Sequence, residues 1–211
     1  LAASRKAFFL HKRIIKGEWK YIEPTVNLGV ELYGKTLGIF GLGNIGFEMA
    51  KRCKGAYDMK IIYHNRNRNE EAGKKLNAEF VPFEELLKKS DVLSVHTNLS
   101  EETRGKFNYS AFEKMKPSAI FINTARGSIH NEPDLITALQ NGTIWGAGLD
   151  VTDPEPMRAD NPLLNMPNVA VTPHIGTATF ETRNAMSTMA AENVIAALNS
   201  LPIPYPVNGE I

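Results

Sequence analysis

An internal disulfide is out of reach for this chain, because its 211 residues include a single cysteine, Cys53. A secreted disulfide scaffold is excluded and a reducing, cytoplasmic setting is expected. Cys53 sits inside a helical pattern and reads as a small buried side chain rather than a nucleophile. An excess of one charge is missing as well: 24 Lys and Arg against 23 Asp and Glu leave a formal net charge of +1. The lysines are scattered among glutamates, so no nucleic-acid partner is expected. No run approaches the ~18 consecutive apolar residues of a membrane span, and no signal peptide is recognisable. Internal repeats and low-complexity segments are absent, and no metal is expected. What is present, 43% hydrophobic and 22% charged residues, describes a soluble globular protein.

The most informative stretch is residues 36–46, Thr-Leu-Gly-Ile-Phe-Gly-Leu-Gly-Asn-Ile-Gly. An apolar run meets Gly41, Gly43 and Gly46 at the spacing G-x-G-x-x-G, and a helical pattern with Phe47, Met49, Ala50 and Cys53 follows at once. A strand turning tightly into a helix aims backbone N–H groups and the positive end of the helix dipole at one spot. Gly41 would allow the turn, Gly43 would let the backbone approach a pyrophosphate, and Gly46 would let helix and strand pack closely. The strand before and the helix after are the context the motif needs. Dinucleotide binding is the reading, with a tight structural turn as its alternative.

The next apolar run, 59–63, ends at His64-Asn65-Arg66-Asn67-Arg68, with no carboxylate before Glu70. An NAD site usually carries Asp or Glu there, on the adenosine 2′-hydroxyl. A carboxylate would repel a 2′-phosphate, whereas arginine binds it through charge-assisted hydrogen bonds. NADP(H) is therefore expected as the preferred cofactor, with NAD(H) the lesser option. Arg66 is the leading contact, with Asn65 and Arg68 beside it. An ordinary basic surface loop is the alternative.

Strands and helices alternate along the rest of the chain. Strands are expected over 36–41, 59–63, 91–96, 119–123, 144–149 and 168–172. Helices are expected over 1–15, 44–54, 69–76, 83–89, 110–115, 131–141 and 178–199. Short apolar strands alternating with helices imply a parallel sheet covered on both faces, an α/β doubly wound fold of the Rossmann type. Ligands of such sheets bind beyond the carboxyl ends of the strands. In the final helix Met186, Met189, Ala190, Val194, Ile195 and Leu198 recur three or four apart, which is read as core or subunit packing. The helical pattern from Leu1 to Ile15 has neither an initiating methionine nor an N-cap, so a longer parent protein is expected. The tail Pro202-Ile203-Pro204-Tyr205-Pro206 is expected to be extended.

Three strand ends carry polar residues for which a core has no use. Arg126 follows Asn123-Thr124-Ala125, where it can hold a carboxylate in two parallel hydrogen bonds. Glu155 stands between Pro154 and Pro156, in a segment expected to be stiff and extended. His174 follows Val171-Thr172-Pro173. Singly these read as a surface ion pair, a solvated loop and a turn residue; together at one sheet edge they suggest a site.

The strings GLGNIG, NTARG, GLDVTDPEP and TPHIG occur in an order and spacing that resembles the D-isomer-specific 2-hydroxyacid dehydrogenases, over essentially the whole chain. The stretch 150–177 and the basic Asn65-Arg66 region look most like glyoxylate/hydroxypyruvate reductases. The resemblance implies an oxidoreductase that moves a hydride between a nicotinamide cofactor and a small 2-keto or 2-hydroxy acid. In this reading Arg126 binds the substrate carboxylate and carbonyl, His174 moves the proton, and Glu155 pairs with His174. Asp150 would orient the nicotinamide. The candidate cofactor residues are then Gly41, Gly43, Asn44, Ile45, Gly46, Asn65, Arg66, Arg68, Thr124, Ala125, Arg126, Asp150, His174 and Gly176. The resemblance further implies a homodimer through the cofactor domain. It also implies a substrate lobe, most of which is not part of this sequence. Residues 1–200 would form the Rossmann domain with its flanking helices, and 201–211 a tail returning to that lobe. Phosphoglycerate, D-lactate and formate dehydrogenases share the catalytic set but usually carry an acid after the second strand. A dinucleotide-sensing transcriptional corepressor is a reading of another class. Such relatives tend to keep the acid and carry long tails, which this chain lacks.

Overall fold

A computed structural model describes residues 1–207 and divides them into two compact units, Leu1–Pro173 and a second that begins at His174. The first unit is built on seven parallel strands: β1 (Thr36–Phe40), β2 (Lys60–His64), β3 (Glu79–Phe80), β4 (Val92–Val95), β5 (Ile120–Asn123), β6 (Gly146–Leu149) and β7 (Val169–Val171). Their order in the sheet is β3-β2-β1-β4-β5-β6-β7. The chain works outward from β1 in one direction, then crosses to β4 and works outward in the other. The carboxyl ends of β1 and β4 flank the crevice opened by that reversal, which is where doubly wound sheets take their ligands.

The helices of this unit are α1 (Ala7–Ile15), α2 (Asn44–Tyr57), α3 (Glu70–Leu76), α4 (Phe83–Lys89), α5 (Tyr109–Glu113) and α6 (Glu132–Gln140). Side chains alternate across each strand, so the central strands feed two cores. Leu37, Ile39, Ile61 and Tyr63 pack with Ala50 of α2 and Ala72 and Leu76 of α3 on one face. Phe40, Ile62, Leu93, Val95 and Phe121 pack with Leu86, Phe112 and Leu135 of α4, α5 and α6 on the other. Strands buried on both faces explain the unbroken apolar runs in the sequence. Asn69, Asn108 and Asn131 each accept a hydrogen bond from a first-turn N–H, capping α3, α5 and α6.

The expected elements are present, with ends displaced by a few residues at most sites. The first helix differs more: residues 2–6 are turn, and α1 starts only at Ala7. The two-residue strand β3 was not expected, since so short an edge strand carries no periodicity. In the second unit, α7 runs from Phe180 to Leu198, capped by Thr179. The stripe expected to serve core or subunit packing is open on this helix: Met186, Met189, Val194, Ile195 and Leu198 are exposed, and among the described residues of the helix only Ala196 is buried. The tail through residue 207 has no regular structure, and residues 208–211 of the expected tail lie outside the described residues. Among the described residues, no helix is long and apolar enough to cross a membrane.

Candidate active site

The three glycines after β1 do three separate jobs. Gly41 has φ +102°, a left-handed conformation that disfavours any side chain, and a Cβ there would lie 2.6 Å from the His96 carbonyl oxygen. Gly46 is pressed against the strand, so that a Cβ would lie 2.3 Å from the Gly41 oxygen. At Gly43 a Cβ would meet nothing within 4 Å. No protein atom within 4 Å demands glycine at position 43, and the space beside it is open. Gly43 is also the N-cap of α2 and offers no side chain to the first-turn N–H groups. Those groups of Asn44 and its neighbours are left for an outside acceptor.

Two hollows open beside this turn. The first, about 480 Å³, is lined by Gly41, His64, Asn65, Arg66, Ser100, Glu102, Thr103 and Lys106 among others, and the second, about 400 Å³, by Ile45, His96, Leu99, Thr124, Ala125 and Arg126. Thr97 and Asn98, just past β4, line both. Together they follow the switch point from the end of β2 to the end of β5. The residues fit a dinucleotide laid across the sheet edge, with its pyrophosphate at Gly43.

β2 ends at His64, the first residue of the stretch that carries no acid before Glu70. Its Nδ1 donates to the Val81 carbonyl at 2.9 Å, and its ring stacks between Phe40 and Phe80. Arg66 is exposed and lines the first hollow, whereas Arg68, also exposed, does not line it. The Asn65 amide faces inward. Its Oδ1 accepts from the Leu42 N–H at 2.6 Å, while Asn69 Nδ2 donates to the Leu42 carbonyl at 3.0 Å. Asn65 therefore holds the glycine turn in shape, a role that its place beside Arg66 in the sequence did not suggest.

Arg126 is exposed beyond β5 at the far end of the second hollow. The next residue, Gly127, is buried, and a Cβ there would lie 1.9 Å from the Thr152 carbonyl oxygen. The arginine loop thus lies directly against the backbone that leads to Glu155, and Ser128 Oγ donates to Asp153 Oδ2 across the same contact. The segment around Glu155 is not extended as expected: residues 153–156 form bends, and the Asp153–Pro154 and Glu155–Pro156 bonds are both cis. Glu155 is exposed, with its Oε2 3.5 Å from the Thr152 N–H. Buried Glu132, at the start of α6, accepts from Asn161 Nδ2 at 2.6 Å and ties the far side of this loop to the helix. Asp150 is buried past β6 and accepts from Thr172 Oγ1 at 2.5 Å. His174 opens the second unit, exposed and with φ +53°, an uncommon conformation for a residue with a side chain. Gly176 follows it two residues on and is exposed.

Two histidines escaped the sequence reading. His96, past β4, hydrogen-bonds Ser94 Oγ through Nε2 at 2.8 Å and lines the second hollow. His130 is 2% exposed, below the Arg126 loop. Burial pushes each down to about 4, so both are neutral at neutral pH and neither is a ready acid. Cys53 is half-buried, its Sγ 4.0 Å from Met49 Sδ, and burial raises its thiol above the ordinary range, as expected of a packing residue. No group of His, Cys, Asp and Glu among the described residues is placed to hold a metal.

Comparison with known proteins agrees with this geometry. The profile described as "D-isomer specific 2-hydroxyacid dehydrogenase, NAD binding domain" matches residues 1–176. Glyoxylate/hydroxypyruvate reductase B of Salmonella gallinarum is 44% identical over 198 residues, 94% of this chain and 61% of the relative. Among solved structures, the TT0316 protein from Thermus thermophilus aligns with a TM-score of 0.91 and 42% identity, over 98% of this chain and 64% of that one. A glyoxylate reductase from Paecilomyes thermophila aligns with a TM-score of 0.85 and 38% identity, over 100% of this chain and 60% of that one. The chain spans about three fifths of the length of the curated relatives it matches.

Proposed function

This chain belongs to the D-isomer specific 2-hydroxyacid dehydrogenase family, whose NAD-binding domain it matches, and we propose that it is the cofactor-binding part of an NADPH-dependent reductase of small 2-keto acids, glyoxylate or hydroxypyruvate. The observation that carries this reading is the hollow that starts beside the first turn of α2, at Ile45, and ends at Arg126. A dinucleotide seated at Gly43 would bring its reactive ring toward a guanidinium suited to a carboxylate.

Bound in this cleft, the nicotinamide supplies the hydride. Arg126 pairs with the substrate carboxylate through two parallel hydrogen bonds and polarises the keto group, so it acts by orientation and by charge. His174 donates the proton to the oxygen on which negative charge develops. Glu155 orients that imidazole, and Asp150 orients the nicotinamide. The neutral, buried state of His96 and His130 supports assigning the acid to His174.

The NADPH preference is supported by the first hollow, where Asn65 and Arg66 follow β2 with no carboxylate before Glu70, and Arg66 and Lys106 outnumber Glu102. Residues 1–200 serve as the Rossmann domain with its flanking helices, and the tail from 201 returns to a substrate lobe. Two chains pair through the cofactor domain. The apolar residues exposed on α1 and the loop after it, Phe8, Ile14, Ile15, Trp19, Tyr21 and Ile22, support that pairing. The enzyme works in the cytoplasm.

A panel of 2-keto acids assayed with both cofactors tests the reading. Reduction of glyoxylate and hydroxypyruvate with NADPH favoured is the expected result. Turnover confined to a phosphorylated or lactate-type substrate with NADH would overturn it. Residues 1–211 expressed alone should bind the dinucleotide yet reduce glyoxylate far more slowly than a protein with the complete cleft. Near-normal rates from residues 1–211 would remove the need for a further lobe.

A further inference from the structure

Asn123, the last residue of β5, is completely buried, and both polar atoms of its side chain are hydrogen-bonded. Its Oδ1 accepts from the Ala125 N–H at 3.0 Å, and its Nδ2 donates to the Arg126 carbonyl at 2.9 Å. These two bonds fix which way the amide points, because a flipped amide would set oxygen against oxygen and N–H against N–H. The second Nδ2 hydrogen then points at His130 Nδ1, 2.9 Å away. His130 Nδ1 can only accept, so the ring is neutral and carries its proton on Nε2. Burial favours that neutral form, with Asp153 the one charge acting in the opposite sense.

The cost of this arrangement is visible. His130 Nε2 is the one buried side-chain nitrogen or oxygen among the described residues with no hydrogen-bond partner. An apolar side chain would fill the same place without that penalty. The backbone on either side of His130 is pinned to Phe107 by two hydrogen bonds, and its ring meets Phe121 edge-on at 5.8 Å, so the acceptor is held still.

We propose that His130 is a positioning residue for substrate binding: it fixes Asn123, which in turn fixes the backbone of residues 124–126 and so the direction from which Arg126 reaches the keto-acid carboxylate. This deepens the reading of Arg126 as the carboxylate anchor and rests on it. The relay is polar because it must hold a carbonyl and an N–H of the same loop at once, which packing by an apolar residue cannot do.

Three measurements on the complete enzyme test it. In the imidazole nitrogen spectrum His130 Nδ1 should be unprotonated and Nε2 protonated near neutral pH; a protonated Nδ1 would overturn the proposal. His130→Leu should raise KM for the keto acid about tenfold or more, change kcat little and leave the dinucleotide Kd within about twofold. His130→Asn restores an acceptor near the Nδ1 position and should recover most of the loss. An unchanged KM in His130→Leu, or equal loss of dinucleotide and substrate binding, would reduce His130 to a packing residue. If His130→Leu folds poorly, exchange of the Ala125 amide hydrogen in His130→Asn against Asn123→Ala gives the answer: slow in the first, fast in the second. Equal exchange in the two would also overturn the relay. Failure of the parent enzyme to reduce any keto acid would sink the proposed function, while the nitrogen spectrum and amide exchange would still decide the clamp.

Discussion

Two exposed side chains carry sharply different expectations. Arg66 lines the hollow past β2 without entering any ion pair among the described residues. Arg66→Ala should weaken NADPH binding by roughly 1.5–3 kcal/mol, the range for hydrogen bonds to charged groups, and leave NADH almost untouched. Fluorescence titration with both cofactors checks this, and equal losses would show that Arg66 does not meet the 2′-phosphate. His174→Gln should cut turnover by about 10²–10⁴-fold, the usual worth of a general acid. Substrate binding should suffer far less, because Arg126 still holds the carboxylate. A fully active His174→Gln in a steady-state assay would remove it from the mechanism. Arg66, Arg126 and His174 were singled out in the sequence as candidates because each follows an apolar run. Asn123 and His130 were not. Nothing in a linear pattern says that an amide ending a buried strand bonds forward to its own loop and sideways to a residue seven positions on.

At the scale of elements, the turn from β1 to α2 separates folding from binding within one motif. Gly46→Ala places a methyl 2.3 Å from the Gly41 oxygen and 3.1 Å from Ile39 Cγ2, so α2 must lift from the strand. Overpacking of this kind costs about 1–3 kcal/mol. Gly43→Ala meets no protein atom within 4 Å. It should leave the urea midpoint nearly unchanged and weaken dinucleotide binding by about tenfold or more, roughly 1.4 kcal/mol. Denaturation and cofactor titration on the two variants should give opposite rankings; a Gly43→Ala that binds normally would move the pyrophosphate elsewhere. The spacing of the glycines announced the motif, and their separate duties follow from which atoms surround each. The apolar stripe of α7 shows the reverse case. Its period is that of a buried helix, yet periodicity states only that a face is apolar, never which surface covers it.

For the molecule as a whole, pH is the lever. His96 and His130 are pushed to about 4 by burial, against an ordinary value of 6.5. Their folded values lie below the unfolded ones. Between about pH 6.5 and 4 the unfolded chain therefore binds protons that the folded chain refuses. Stability is fully present above pH 6.5 and is lost as pH falls through that window, by up to about 1.4 kcal/mol per pH unit for each histidine. Urea denaturation at pH 7.5, 6 and 5 checks this, and His130→Asn should flatten the slope by removing one of the two protons. A parent profile flat from pH 7.5 to 5 would mean that the two rings are already charged or already solvated in the fold.

The parallel α/β sheet, the glycine turn and the positions of the three polar strand ends can be read from local order alone: apolar runs of strand length, glycines at fixed spacing, one charged residue just past a run. How those ends are held emerges from contacts between distant parts of the chain. The Arg126 loop lies against Thr152 because Gly127 permits it, Asn65 turns inward to Leu42, and the Glu155 segment bends where it was expected to run straight. A hydrogen bond or a close contact is a relation between two places far apart in the chain, and sequence order records each partner without recording that they meet.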